Sequence, residues 1–172
     1  MDFENYSLNN GIRVVHKRVS SPVAYCCIMV NAGTRDELEH EHGMAHFIEH
    51  VIFKGTKKRR AYHIMSRLED VGGELNAYTT KEETVVHATF LKDDYSRAFE
   101  LLSDIVFRST FPEKEIIKEK DIIIDEINSY KDSPSELIYD DFEDLIYEGH
   151  PFGRNILRSE EHTSELQSRQ VI

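Results

Sequence analysis

Apolar and polar residues change their period twice along the chain. "YSLNNGIRVVHKR" reads as two strands around an Asn-Gly turn. "PVAYCCIMVNAG" reads as a longer buried strand, with eight apolar residues unbroken from Val23 to Val30. After a polar loop the apolar residues Met44, Phe47, Ile48 and Val51 recur at i, i+3, i+4 and i+7. This spacing predicts a helix from about Gly43 to Phe53 with one core-facing stripe. A second helix, "AYHIMSRLEDV", stops at Gly72-Gly73. The strands "ELNAYTT" and "ETVVHATFL" follow, rich in Thr, Val and aromatic residues and separated by a short charged turn. From there the pattern is helical. "DDYSRAFELLSDIVFRS" starts at an acidic cap, "PEKEIIKEKDIIIDEINSY" has proline in its first turn, and "SPSELIYDDFEDLIYEG" opens on a Ser-Pro-Ser-Glu capping box. Strands and helices mix without regular alternation, which predicts an α+β fold with neither an internal repeat nor a linker.

Length and charge narrow the possible partners. The 172 residues, 40% of them hydrophobic, suffice for one globular domain with a real core. A net charge of −11 argues against nucleic acid or an anionic membrane, because phosphate would be repelled over most of the surface. The one basic run, Lys57 to Arg60, has no interleaved aromatic residues and is expected to be a solvated turn. No stretch approaches the roughly 20 apolar residues of a membrane helix, and "MDFENYSLNNG" has neither a basic nor an apolar leader region, so a cytoplasmic protein is expected. Cys26 and Cys27 are adjacent on a strand and point to opposite faces, which leaves two reduced residues.

The candidate chemistry lies in "EHEHGMAHFIEH", Glu39 to His50. On the predicted helix His46 and His50 are four apart, so their imidazoles stand one above the other, and Glu49 falls on the same stripe opposite the apolar one. Two such histidines can share one zinc ion, while an offset glutamate can reach a water on the metal without binding it. His-x-x-Glu-His is the inverted form of a zinc-peptidase motif. A third protein ligand is needed, and the best candidate is Glu126, set among Ile122, Ile123, Ile124 and Ile127, where a buried carboxylate would need a partner. Glu119, two turns earlier on the same face, is the candidate to orient or balance the site. His40 and His42 precede the helix and are expected to be solvated loop residues. His16, His63, His87 and His150 are read as structural or surface residues.

"GMAHFIEHVIFKGT", "GGELNAYTTKEET" and "EKDIIIDEINSYKDSP" stand in the order and spacing of the insulinase/pitrilysin superfamily of metallopeptidases. The chain most resembles the processing-peptidase branch and its bacterial relatives. In that family the third ligand is a glutamate 76 positions after the second histidine, and Glu126 stands 76 positions after His50. The family's other glutamate on that helix matches Glu119. The resemblance implies an antiparallel-rich sheet covered by helices, with peptide substrate adding as a strand beside "ELNAYTT", where Asn76 and Ala77 would lie nearest the metal. It also implies one zinc ion held by His46, His50 and Glu126, with Glu49 as general base and then general acid.

Members of this family enclose substrate with a further domain or a second subunit, so a missing C-terminal domain or partner subunit is expected to complete the chamber. The 172-residue chain is accordingly expected to be a poor peptidase by itself. A non-catalytic, peptide-binding partner subunit is the alternative function, although such members tend to have lost the motif that is intact here. A metal-dependent hydrolase of small molecules is a third. Residues 1–157 are read as an incomplete N-terminal zinc-peptidase domain. Residues 158–172, containing "RSEEHTSELQS", match the translation of a sequencing adapter and are expected to be foreign, so His162 and the tail glutamates carry no weight.

Overall fold

The computed structural model describes residues 3–157, and the expected foreign tail from Arg158 onward lies outside the described residues. The chain opens with an antiparallel hairpin, β1 (Glu4–Ser7) and β2 (Arg13–His16), which forms its own two-stranded sheet. The main sheet takes β3 (Val23–Val30), β4 (Glu74–Thr79) and β5 (Thr84–Leu91) in the order β3-β5-β4, antiparallel throughout. The helices are α1 (Met44–Val51), α2 (Ala61–Glu69), α3 (Tyr95–Arg108), α4 (Glu113–Lys131) and α5 (Pro134–Ile146). This is the expected α+β class, with helices covering an antiparallel sheet.

Strand alternation decides which face is covered. Ile28, Val86 and Ala77 stand in one cross-strand row, and Cys26, Ala88 and Leu75 in the next. These rows pack against Ile64 and Leu68 of α2 and Ala98, Leu101, Leu102 and Ile105 of α3, forming the larger core. The rows between them, such as Cys27, His87 and Asn76, face away. β3 is consequently not the buried strand that its apolar run predicts. It is an edge strand with one covered face, and Tyr25 and Met29 are exposed. Composition cannot separate a buried strand from an edge strand whose second face is apolar. Cys26 and Cys27 are free and point to opposite faces as expected, and burial, with Cys27 beside it, pushes the Cys26 thiol up to about 11.

Two further expectations fail locally. The basic run is solvated at Lys57, Lys58 and Arg60, as expected, but not at Arg59, which bonds Glu100 and the fully buried Asp104, both at 2.6 Å; Asp104 also accepts the Thr56 hydroxyl at 2.7 Å. The guanidinium there neutralises a carboxylate buried in α3, which a charge count cannot foresee. The predicted capping box at α5 does not form, because Ser133 makes no side-chain cap and its hydroxyl lies 3.3 Å from that of Ser135.

The loop between β3 and α1 is tied to the turn between β4 and β5. Thr34 and Arg35 donate their N–H groups to the carbonyls of Thr80 and Lys81 at 3.2 and 3.0 Å. Gly33 sits so close to this turn that a Cβ there would come within 2.5 Å of the Thr80 carbonyl and 2.6 Å of the Glu82 nitrogen. Both obstacles are backbone and cannot swing aside. Gly33→Ala is therefore expected to cost about 1–3 kcal/mol of stability, by the measure of overpacked sites. A thermal unfolding midpoint equal to that of the parent would contradict this contact.

Candidate metal centre

α1 is held at both its start and its flank. Gly43 precedes it at φ +82°, a left-handed conformation that glycine adopts without strain. The helix has no ordinary side-chain cap at Gly43. The Glu37 carboxylate instead reaches over from the preceding loop and accepts the N–H groups of Gly43 and Ala45, each at 2.7 Å. It thereby satisfies two orphan donors and places negative charge at the positive end of the helix dipole. Arg154 donates to the Glu37 carbonyl at 2.8 Å, and the His42 ring lies 2.8 Å from the Asn155 carbonyl. His42 is thus not the solvated loop residue expected of it, because the 151–157 segment returns over this loop. His40 is exposed as expected.

The flank of α1 packs on α4. Phe47 and Val51 meet Ile116, Ile123 and Ile127 in a second core, with Met44 and Ile48 at its margin. This is the predicted apolar stripe, and His46 and His50 lie at its edge, where they too face α4. On α4 the buried stripe continues through Glu119, which is almost wholly withdrawn from solvent. Glu126, expected to be the carboxylate enclosed by isoleucines, keeps 44% of its side-chain surface exposed. Ile123 and Ile127 point into the seam while Ile122 faces out, so the isoleucine run does not surround it.

Among the described residues, His46, His50 and Glu126 form the one group of three metal-competent side chains that converge. The two Nε2 atoms lie 3.3 Å apart, Glu126 Oε2 is 3.1 Å from His50 Nε2, and Glu126 Oε1 is 3.7 Å from His46 Nε2. Ligands at zinc distances of about 2.0–2.2 Å in a tetrahedron are separated by about 3.3–3.6 Å. The three donors therefore fit one ion of that size, with a fourth vertex left open. Their chemistry fits as well, since two imidazole nitrogens and a carboxylate are ligand types that zinc takes at sites with an open position. Burial, reinforced by His50, pushes His46 down to about 4, so its ring is neutral near pH 7 and has a lone pair to offer.

Of the remaining predicted residues, Glu49 is half-buried and makes no hydrogen bond or ion pair to another described residue. Glu119 places Oε2 3.5 Å from His50 Nδ1, on the side of the ring opposite the cluster. Asn76 and Ala77 lie on β4, an edge strand that runs beside α1, where the Thr79 hydroxyl stands 3.5 Å from the Ala45 carbonyl. Asn76 is exposed, and its Oδ1 accepts the Ala77 N–H at 2.9 Å. Sequence reasoning missed Glu37 and Lys54. Glu37 lies six residues before Gly43, outside any capping-box spacing, and carries no local signal. Lys54 follows His46 and His50 at steps of four, and this periodicity was available.

The model of the insulinase family, peptidase family M16, matches residues 13–160. The chain is 34% identical, over 92% of its length, to the uncharacterized zinc protease YmxG of Bacillus subtilis (strain 168). It is also 34% identical, over 96% of its length, to the mitochondrial-processing peptidase subunit beta of Rattus norvegicus. The chain spans only 39% and 34% of those relatives. Among solved structures, a protease from Helicobacter pylori superposes with a TM-score of 0.93 at 23% identity, covering 99% of this chain and 41% of that one. A peptidase M16 inactive domain from Pseudomonas fluorescens gives 0.89 at 17%, covering 99% and 42%. These two likenesses show the fold. The chain belongs to the insulinase family of peptidases.

The depressed value at His46 makes a prediction for the metal-free chain. Its folded-state pKa lies below the ordinary 6.5, so the neutral ring contributes full stability above 6.5, and this is lost as pH falls from about 6.5 toward 4. The loss attributable to His46 is up to about 3 kcal/mol. Denaturant unfolding at pH 7 and pH 4.5 should show a steeper fall for the parent than for His46→Gln. Parallel falls would contradict it.

Proposed function

We propose that the chain is the metal-binding part of a zinc-dependent endopeptidase that cuts extended peptides or unfolded segments. The observation that carries this reading is the convergence of His46 Nε2, His50 Nε2 and the Glu126 carboxylate within 3.1–3.7 Å of one another. These three residues would hold one zinc ion. When bound, the ion supplies Lewis acidity toward a carbonyl oxygen and lowers the pKa of water.

The other steps belong to the protein's own groups. Glu49, which stands between His46 and His50 on α1 and has no partner among the described residues, takes a proton from water as the water oxygen attacks the scissile carbonyl carbon. As the C–N bond breaks, Glu49 returns that proton to the leaving amine. Glu119 holds the far side of the His50 ring so that Nε2 faces the donors. The β4 edge offers backbone groups to a peptide running alongside it, with Asn76 exposed where the added strand would lie. An incoming strand would exchange the Asn76 bond to the Ala77 N–H for one of its own. Backbone pairing of this kind tolerates many sequences.

Relatives extend far beyond the matched region, and the reading includes a further domain or second subunit that encloses the substrate. α5 is consistent with such an addition. Its residues Ile138, Tyr139, Phe142, Leu145 and Ile146 share one face, and all are more than half exposed. No described helix is long and apolar enough to cross a membrane.

Glu49→Gln tests the chemical role directly, in the presence of whatever domain or subunit completes the peptidase. The variant is expected to retain one equivalent of zinc while peptide hydrolysis falls by at least about 100-fold, the usual scale of a lost general base. Cleavage at the parental rate would remove Glu49 from the mechanism. Chelation should abolish hydrolysis and added zinc should restore it; turnover that persists after full metal removal would overturn the zinc reading.

A further inference from the structure

Lys54 follows the last turn of α1, and its N–H donates to the Val51 carbonyl at 3.0 Å. It stands four residues after His50 and eight after His46, and its Nζ lies 2.8 Å from Glu119 Oε1. The other oxygen of the same carboxylate faces His50 Nδ1 at 3.5 Å. Lys54 and Glu119 retain 28% and 5% side-chain exposure, so the carboxylate is almost wholly shielded from water and the lysine partly so. A chain of contacts thus runs from an ammonium through a buried carboxylate to the ring of a proposed ligand. It lies outside the cluster of donors.

We propose that Lys54 is a positioning residue of this metal centre. A carboxylate facing a ring nitrogen can rotate about its last torsion, which is broad and roughly two-fold. An ammonium fixed on Oε1 restricts that rotation and leaves Oε2 presented to Nδ1. His50 then carries its proton on Nδ1 and keeps the Nε2 lone pair aimed at His46 and Glu126. At 3.5 Å the Glu119 contact is at the outer limit of a hydrogen bond, and loading the ion is expected to draw it in. The inference rests on the zinc reading given above and adds a residue that the metal motif does not contain.

The test uses the 172-residue chain, zinc itself as the probe, and two readouts independent of peptidase activity. These are zinc affinity by competition with a chromogenic chelator, and the ¹⁵N shifts of the His50 ring in the zinc-free chain, which report the nitrogen that carries the proton. Lys54→Met is expected to weaken zinc by about 10–100-fold, the range seen when a residue supporting a ligand is removed. It should also shift the His50 ring signals away from the Nδ1–H form. Lys54→Arg, which keeps a donor on Oε1, should restore most of both. A folded Lys54→Met chain with parental affinity and parental ring signals would overturn the proposal.

Removing the ammonium alone leaves a carboxylate buried without its partner, which can cost the fold. The paired variant Lys54→Met/Glu119→Gln avoids that. It should bind zinc at least tenfold more weakly than the parent and no more weakly than a folded Lys54→Met chain, because the two residues act as one unit. Parental affinity in the paired variant overturns the proposal as well. A parent chain with no zinc affinity, or affinity that survives His46→Ala with His50→Ala, would instead overturn the metal-centre reading itself.

Discussion

Everything at this site depends on one apolar seam. Phe47 and Val51 of α1 meet Ile116, Ile123 and Ile127 of α4, and this contact fixes how the two helices face each other. Helical period then determines where the polar residues go. His46 precedes Phe47 and His50 precedes Val51, so both rings emerge at the edge of the seam, while Glu126 precedes Ile127 on the facing helix. Three donors, each one residue before a seam residue, are thus brought to a common point by hydrophobic packing, with no direct attraction between them required. The arrangement also explains why burial depresses His46 while Glu126 keeps contact with solvent.

The seam holds the flank of α1. Its start is fixed by Glu37, which caps the Gly43 and Ala45 amides and is itself held by Arg154 through its carbonyl. Gly33 lets the same loop press against the Thr80 turn, and so ties α1 to β4, the strand proposed to receive substrate. α1 is therefore located by contacts from three distant parts of the chain. Donor positions set to a fraction of an ångström need that degree of support.

The parts of this arrangement legible in the sequence were those governed by short periods. The stripe Met44, Phe47, Ile48 and Val51 gave α1 and its buried face, and the spacing of His46, Glu49 and His50 gave one half of the cluster. The Thr, Val and aromatic content of "ELNAYTT" and "ETVVHATFL", with the charged turn between them, located β4 and β5 closely. Long-range facts were less accessible. Glu126 emerged from a helix rich in isoleucine together with a family spacing, yet the carboxylate actually buried there is Glu119. An α-helix with isoleucines on several faces does not announce which of them meets a neighbour. Val23–Val30 was misread for the same reason, since an apolar run shows where burial is possible and the arrangement of strands decides where it happens. Arg59 and His42 looked like solvated polar residues because their partners, Asp104 and Asn155, are far away in sequence.

X-ray absorption at the zinc edge, on the chain loaded with one equivalent of zinc, bears most directly on the claim that this seam builds a metal centre. The account predicts a first shell of nitrogen and oxygen only, at about 2.0–2.1 Å, with the outer-shell signature of two imidazoles. A sulfur neighbour at about 2.3 Å, or a shell without imidazole scattering, would contradict it.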